Sequence, residues 1–430
     1  MKKICSVILA LSLMMSMIVS LTACSNKVKS SELTMWIGES VVGENEFEMP
    51  QDSWIVQELV NEYSTIYGTH IKLTYFEDEE AMIQLIANNA RMGNEIPDVA
   101  CVFSSENIRE MTDVLYPLTN DVTEEEKEHI MFWETVMNGN DSGEIYGFPF
   151  GGTEVTFMAY NKSIFRSVGI DVENHTPENI SDFNDICEKL SESGILPIVG
   201  SDGGWNELYL KLFSKEWLQN TEEDRIISEG RGEEKYSDDV NLLNSLSTMK
   251  MYYDKGYINA DYPTNEEPMN LFATGRAAMY CCSNFDIVVL KNILGSDFGV
   301  FETPNMSNAN DENTCIGGCN QCLTVLKNSP NINEAVSLVH WLSTKENAIR
   351  VAQKFGCFPN RNDIDVSEYS TNPTEIDLLI YPLLTRVQCQ VDCLMPMRVA
   401  EEFYRKSLLV ILGDMTPKEF VQQMDVITNE

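Results

Sequence analysis

The chain has 430 residues, 43% of them hydrophobic, which is enough material for two or three domain-sized cores. Its 67 acidic residues against 30 basic ones give a formal net charge of −37. A field of that sign repels phosphate backbones and an anionic membrane surface, so nucleic acid and charge-driven membrane binding are excluded as partners.

Lys2 and Lys3 precede an apolar run, Ile4–Leu21, that closes on Leu21-Thr22-Ala23-Cys24. This pattern predicts an export signal over residues 1–23 ending in a bacterial lipoprotein motif, with Cys24 as the lipidated residue. Two or more acyl chains would hold the protein stably at the outer face of the cell membrane, since each buried methylene adds about 0.8 kcal/mol. Residues 24–32 then read as a lipid-anchored linker. No later stretch reaches the roughly 18 uninterrupted apolar residues that a spanning helix needs.

Leu33–Ile37 predicts the opening strand of the mature fold. Asp52–Tyr67 has helical spacing, with Leu59, Tyr63, Ile66 and Tyr67 on one stripe, and His70–Phe76 alternates as a strand. Glu79–Met92 is again helical, with Leu85 on its apolar stripe, and Ile96–Val102 is a turn feeding a buried strand. Strand, helix, strand, helix, strand is the order of a parallel sheet with crossover helices. Short helices are expected at Asn107–Thr112 and Glu124–Asn138. Tyr146–Lys162 reads as two aromatic strand pieces joined at Gly151-Gly152, with a single acid, Glu154, at the bend.

Alternation resumes with a helix at Ser181–Ser193, a strand at Ile195–Val199 and a helix at Trp205–Trp217. Asn220–Ser237 is rich in charge and reads as solvated surface. Asp238–Lys255 and Asn284–Leu294 are expected helices, and Arg276–Cys281 and Phe298–Phe301 expected strands. Gly317–Leu326 predicts a bend and a strand, followed by two helices capped by the pairs Asn331/Glu334 and Ser343/Glu346, the second ending at Gly356. Met397–Leu412 is a helix closed by Gly413, and Thr416-Pro417-Lys418-Glu419 starts the last one.

Nucleophile-elbow, zinc-protease, phosphate-loop and dinucleotide motifs are all missing from the sequence, and only four histidines are present. No positioned base accompanies any Ser or Cys, so the chain is read as a non-enzyme without cofactor. An exported glycosidase stays open as an alternative, because carboxylate pairs abound. Beyond Cys5 and Cys24 there are ten cysteines, at 101, 187, 281, 282, 315, 319, 322, 357, 389 and 393. Most lie in apolar runs where a thiol acts as a small hydrophobe, although Cys315-x3-Cys319-x2-Cys322 with Cys389-x3-Cys393 also admits disulfides or a metal. No histidine stands near either cluster, and no metal is expected.

Aromatic residues beside polar groups form the remaining pattern. A sugar offers apolar ring faces that stack on aromatic side chains and a hydroxyl rim that carboxylates, amides and Arg can hold. Trp36 with Glu39, Glu154, Trp205 with Asn206, Phe285 with Asp286, and Arg398 are of this type.

Several segments in order carry a resemblance. They are Pro97-Asp98-Val99, Tyr146-Gly147-Phe148-Pro149 with Tyr160-Asn161-Lys162, and Phe272-x-x-Gly275-Arg276-Ala277-Ala278-Met279. Gly317-Gly318 through Val325-x-Lys327-x-Ser329, the helix Ala335–Thr344 and Gly356-x-x-Pro359 complete them. The set, behind a lipoprotein motif, resembles the family 1 extracellular solute-binding proteins of ABC transporters, the maltose-binding-protein-like sugar receptors. The resemblance implies an α/β fold of two lobes, the periplasmic-binding-protein-like class II type. Each lobe would be a sheet flanked by helices, with ligand in a hinged cleft. Lobe 1 is expected at 33–149 plus 303–360 and lobe 2 at 150–302 plus 361–430, with crossings near Phe150–Glu154, Glu302–Asn305 and Pro359–Asn362. By the same likeness Glu154 is the hinge-side acid and Phe285 an aromatic platform. Trp36–Glu39 and Ser104–Ser105 fall in first-lobe binding loops, and Arg398 and Glu401 are second-lobe contacts. A monomeric, lipid-anchored receptor that passes a carbohydrate, an oligosaccharide above all, to ABC transporter permease subunits is the function implied. A polyamine-like solute is the alternative ligand.

Overall fold

The computed structural model describes residues 32–42, 46, 49–137, 143–172, 176–307, 312–355, 357–370 and 375–429. The export signal, Cys24 and Gly356 lie outside them. Strands β1 (Glu32–Ile37), β2 (His70–Tyr75) and β3 (Val99–Phe103) pair in parallel, linked by the helices Ile55–Tyr67 and Glu79–Met92. This is the crossover arrangement that the alternating pattern predicts. Strand β4 (Phe148–Phe150) lies at the far edge of the same sheet. Leu33, Met35, Ile37 and Val99–Val102 face the first core, with Leu59 and Ile86 packed from the helices.

The second sheet is built on β5 (Glu154–Asn161), which pairs antiparallel with β7 (Ala277–Ser283), β8 (Phe298–Phe301) and β9 (Cys315–Gly318). Strand β6 (Leu196–Val199) runs parallel to β7. Met158 and Tyr160 point into one core, while Val155, Phe157 and Ala159 point into another on the opposite face. A period of two thus buries β5 on both sides. Strand β10 (Gln321–Val325) returns to the first sheet between β3 and β4, and β11 (Val387–Gln388) closes the second sheet beside β9.

The chain therefore changes sheet between Phe150 and Glu154, and back again between Gly318 and Gln321. The second passage corrects the expectation of a crossing at Glu302–Asn305 that opens a first-lobe segment 303–360, since β9 still belongs to the second sheet. The third expected crossing, Pro359–Asn362, runs beside the first passage: Phe358 bridges Thr153 and packs in a second-sheet core, Asn360 donates to the Pro149 carbonyl, and Arg361 bridges to Ile130 of the first lobe. Gly152 at φ 98° and Gly317 at φ 157° make the two passages possible. A Cβ on Gly152 would collide with Cys357 Sγ, and one on Gly317 with the Glu154 carbonyl.

Other departures have local causes. The expected helix Glu124–Asn138 stops at His129, and Phe132 at φ 70° turns the chain into a single 3-10 turn. Asn220–Ser237 is not simply solvated surface: Glu223–Gly230 is a helix that buries Ile226, Ile227 and Glu229. Ile66, Tyr67 and Leu85, placed on apolar stripes, are exposed. Asn331 occupies the N-cap position at ψ 37° but its side chain makes no capping hydrogen bond, its amide donating instead to Asp98 and to the Glu32 carbonyl. Ser343 ends the preceding helix instead of starting the next, and its hydroxyl has no hydrogen-bond partner among the described residues. The Thr416/Glu419 capping box is present. The ten described cysteines are free thiols, eight of them buried. Cys315 faces the Leu383 carbonyl in the second sheet and Cys322 the Val102 carbonyl in the first, so these sulfurs do not converge. No helix among the described residues is long and apolar enough to cross a membrane.

Candidate functional site

The two passages between sheets run side by side and form the floor of a cleft. Cys319 Sγ contacts the Phe150 carbonyl at 3.1 Å, and Asn320 Nδ2 donates to Glu154 Oε2 at 3.3 Å. Above them is a cavity of about 270 Å³ bordered by Ser40, Glu154, Phe285, Asn320, Gln321 and Phe355. Ser40 is held there by Glu79, which accepts from its amide at 3.2 Å and from its hydroxyl. Burial raises the Glu79 pKa, partly offset by these Ser40 hydrogen bonds.

A larger cavity of about 580 Å³ adjoins the first, and Asn320 and Gln321 border both. The first lobe contributes Glu80 and Asn107 from helix starts, and Phe103 and Ser104 from the end of β3. The second lobe contributes Gly203-Gly204-Trp205, then Asp392, Glu401 and Tyr404 from around the helix Met397–Leu412. Strand ends and helix starts meet at the cleft, which is where open α/β sheets leave room for ligands.

The Trp205 ring is backed by a cation. Lys211 Nζ lies 5.5 Å from the ring centre and 2.6 Å from Glu207 Oε1. Burial alone would lower the Lys211 pKa, but Glu154, Glu207 and Asp286 outweigh it and raise it. A positive charge thus lies against the Trp205 platform and is stabilised by Glu154 as well as Glu207. Asp286 accepts from the Ser283 amide at 2.9 Å, and burial raises its pKa against that bond and Lys211. Asp392 Oδ2 accepts from the Tyr404 hydroxyl at 2.7 Å.

The cleft is also bridged at its rim. Arg231, just past the helix Glu223–Gly230, donates to Glu106 Oε1 across the lobes at 3.2 Å, and Arg109 holds the other Glu106 oxygen at 3.0 Å.

Of the residues singled out from sequence, Ser104, Glu154, Trp205, Phe285 and Glu401 border the two cavities. Ser105 is buried behind them at φ 62°, beside Cys393 of the other lobe. Trp36 packs on Phe76 with ring centres 4.9 Å apart, and Glu39 is exposed next to Ser40. Neither borders the two cavities. Asp286 lies behind Phe285 as a cap. Two placements are corrections. Asn206 is fully buried, its amide donating to Ser407 and accepting from Tyr262, because φ 54° turns it into the lobe. Arg398 is turned away and donates to the Ile427 carbonyl at 3.0 Å.

Sequence reasoning missed Ser40, Glu80, Asn107, Asn320, Gln321, Asp392 and Tyr404. The Asn320-Gln321 pair, polar residues between a Gly-Gly bend and a strand, was the available signal. Among the described residues, Glu125, His129 and Asp363 could hold a metal ion, but Arg361 already engages both carboxylates at 2.8–2.9 Å.

A family model described as bacterial extracellular solute-binding protein matches residues 58–375. No curated protein matches the chain in sequence. Many solved structures share its fold. A chitin oligosaccharide binding protein is 18% identical with a TM-score of 0.73, covering 93% of this chain and 98% of its own. The sugar-binding protein MalE of Xanthomonas citri is 16% identical with a TM-score of 0.72 over the same shares. The binding protein MsmE of Bacillus subtilis, in an open conformation, is 17% identical with a TM-score of 0.70, covering 94% and 98%.

Proposed function

The chain belongs to the bacterial extracellular solute-binding proteins, and from that premise we propose that it captures an oligosaccharide in the cleft between its lobes. The observation that carries this reading is the paired cavity itself. Aromatic faces from Trp205, Phe285 and Phe103 stand beside the carboxylates and amides of Glu154, Asn320, Gln321 and Glu401, which is what a sugar's two kinds of surface require. The carbohydrate ligands named for structural neighbours support it.

Residues 33–150 and 321–364 form one lobe in this reading, and 154–318 and 381–429 the other. Closure of the lobes favours the bound form because both touch the ligand. The protein carries no catalysis, is tethered outside the cell through lipid on Cys24 and hands its solute to the permease subunits of an ABC importer. Replacing Cys24 with Ala is expected to release the protein into the medium on cell fractionation; retention at the membrane would remove the anchor from the account.

Isothermal titration against a broad oligosaccharide panel tests the ligand class. At least one saturable binder is expected, and Glu154→Ala should weaken it by about 2 kcal/mol, roughly thirtyfold, for a lost charged hydrogen bond. Silence across the panel contradicts the reading.

A further inference from the structure

Resting on the saccharide reading, we propose that the ligand is a linear chain long enough to leave the two cleft cavities and run along the helix Glu79–Met92, where a row of amide side chains holds at least one further sugar unit. A third cavity, of about 290 Å³, continues the cleft. Glu80, Asn107 and Met397 border both it and the larger cavity, so the two spaces meet along a shared wall.

Helical spacing sets the direction of this extension. Glu80, Gln84, Asn88 and Arg91 follow one another at four, four and three residues, which puts them on one face, and all four border the third cavity. Ile83 and Ala87 lie beside the row, buried in the lobe, and give it an apolar base. Each step along the row is about one helical turn, roughly 5.4 Å, a length comparable to one pyranose unit of an extended chain. Gln84 and Asn88 are exposed, and their side-chain amides, like that of Asn107, form no hydrogen bond among the described residues. Arg91 is engaged: it donates to the Asp113 carboxylate at 2.9 and 3.0 Å and to the Glu110 carbonyl at 3.0 Å, which fixes a guanidinium at the far end. The helix is capped by Asp78, which accepts from the Ala81 amide, and by Gly93 in the left-handed conformation, so the row is in place before ligand arrives. An amide pairs a donor with an acceptor and can bridge neighbouring hydroxyls of a sugar. No aromatic ring borders the third cavity, so its hold on an outer unit is through hydroxyls and adds affinity only to chains that reach it.

The test is calorimetric, on the intact protein, with a homologous series from disaccharide to hexasaccharide of each sugar that binds in the panel. Affinity is expected to rise by about tenfold at the length that reaches the helix. In the double variant Gln84→Ala with Asn88→Ala that rise should fall to about twofold or less, while the shortest binder keeps its affinity within about twofold. Both positions are exposed and alanine is the strongest helix former, so the variant is expected to fold as the parent does. Affinity that does not change with length overturns this inference and leaves the saccharide reading standing. So does a rise that survives the double substitution, or a loss equal for short and long chains. Heat from no saccharide of any length overturns both.

Discussion

Lys215 and Glu229 carry ionisable groups into the interior of the second lobe, with opposite consequences for pH. Lys215 Nζ donates to the Thr303 carbonyl and hydroxyl and to Asn313 Oδ1, and burial brings its pKa down to about 7. The unfolded chain holds that proton up to the ordinary lysine value near ~10.4, so stability rises as pH goes from about 7 to that value and is lost again as pH falls back to about 7. Glu229 is raised to about 8 by burial despite its bond to Arg225, and its Oε2 has no hydrogen-bond partner among the described residues. Here the folded state binds the proton more tightly, so stability falls as pH rises from the ordinary carboxylate value near ~4.3 to about 8. Thermal melts across pH should show Glu229→Gln flattening the loss between those values, and Lys215→Met flattening the gain above neutrality. Slopes unchanged by the substitutions would contradict both assignments.

Neither residue was legible in the sequence. Glu229 sits in a run dense in charge that hides the two isoleucines anchoring its helix, and the acceptors of Lys215 lie some ninety residues away in the chain. Glu154 and Trp205 were legible, since an acid at a glycine bend and an aromatic after a Gly pair are local signals. Trp205→Ala is expected to weaken a bound saccharide by about 1–2 kcal/mol, roughly five- to thirtyfold, in the same calorimetric assay.

At the scale of elements, the sequence carries periodicity well and pairing poorly. The parallel β1–β2–β3 unit follows from alternation between periods of two and 3.6. The membership of β9 in the second sheet does not, because its partners β5 and β11 are distant in sequence and its four residues have no distinguishing pattern. Asn331 shows the same limit. Its type predicts a cap, but Asp98, reached only through the fold, takes its amide. The passages themselves depend on glycine. Gly152→Ala should lower stability by about 2 kcal/mol or more, through both positive φ and collision with Cys357, and a thermal melt near wild type would show that the passage adjusts freely.

For the whole molecule, two sheets with separate cores are joined by narrow passages and meet again at the Arg231–Glu106 pair. That pair is mostly buried, with Arg109 on the same carboxylate, so breaking it leaves a buried charge with one partner fewer. Arg231→Gln should enlarge the ligand-free radius of gyration in small-angle scattering, by shifting the lobes toward an open arrangement. An unchanged profile would mean that the passages alone fix the lobes. The two-lobed plan was readable from the order of weak segments along the chain, whereas the cleft's composition was only half readable. Asn320, Gln321, Asp392 and Tyr404 become neighbours of Trp205 or Glu154 only when both lobes are built.

The central claim is that a saccharide is held between the lobes, and a crystal structure of the protein with its tightest calorimetric binder tests it most directly. The account predicts sugar density between the lobes, with a ring face on Trp205 and hydroxyls within hydrogen-bond distance of Glu154 and Asn320. Density outside the cleft, or a cleft left empty by a saturating binder, would contradict it.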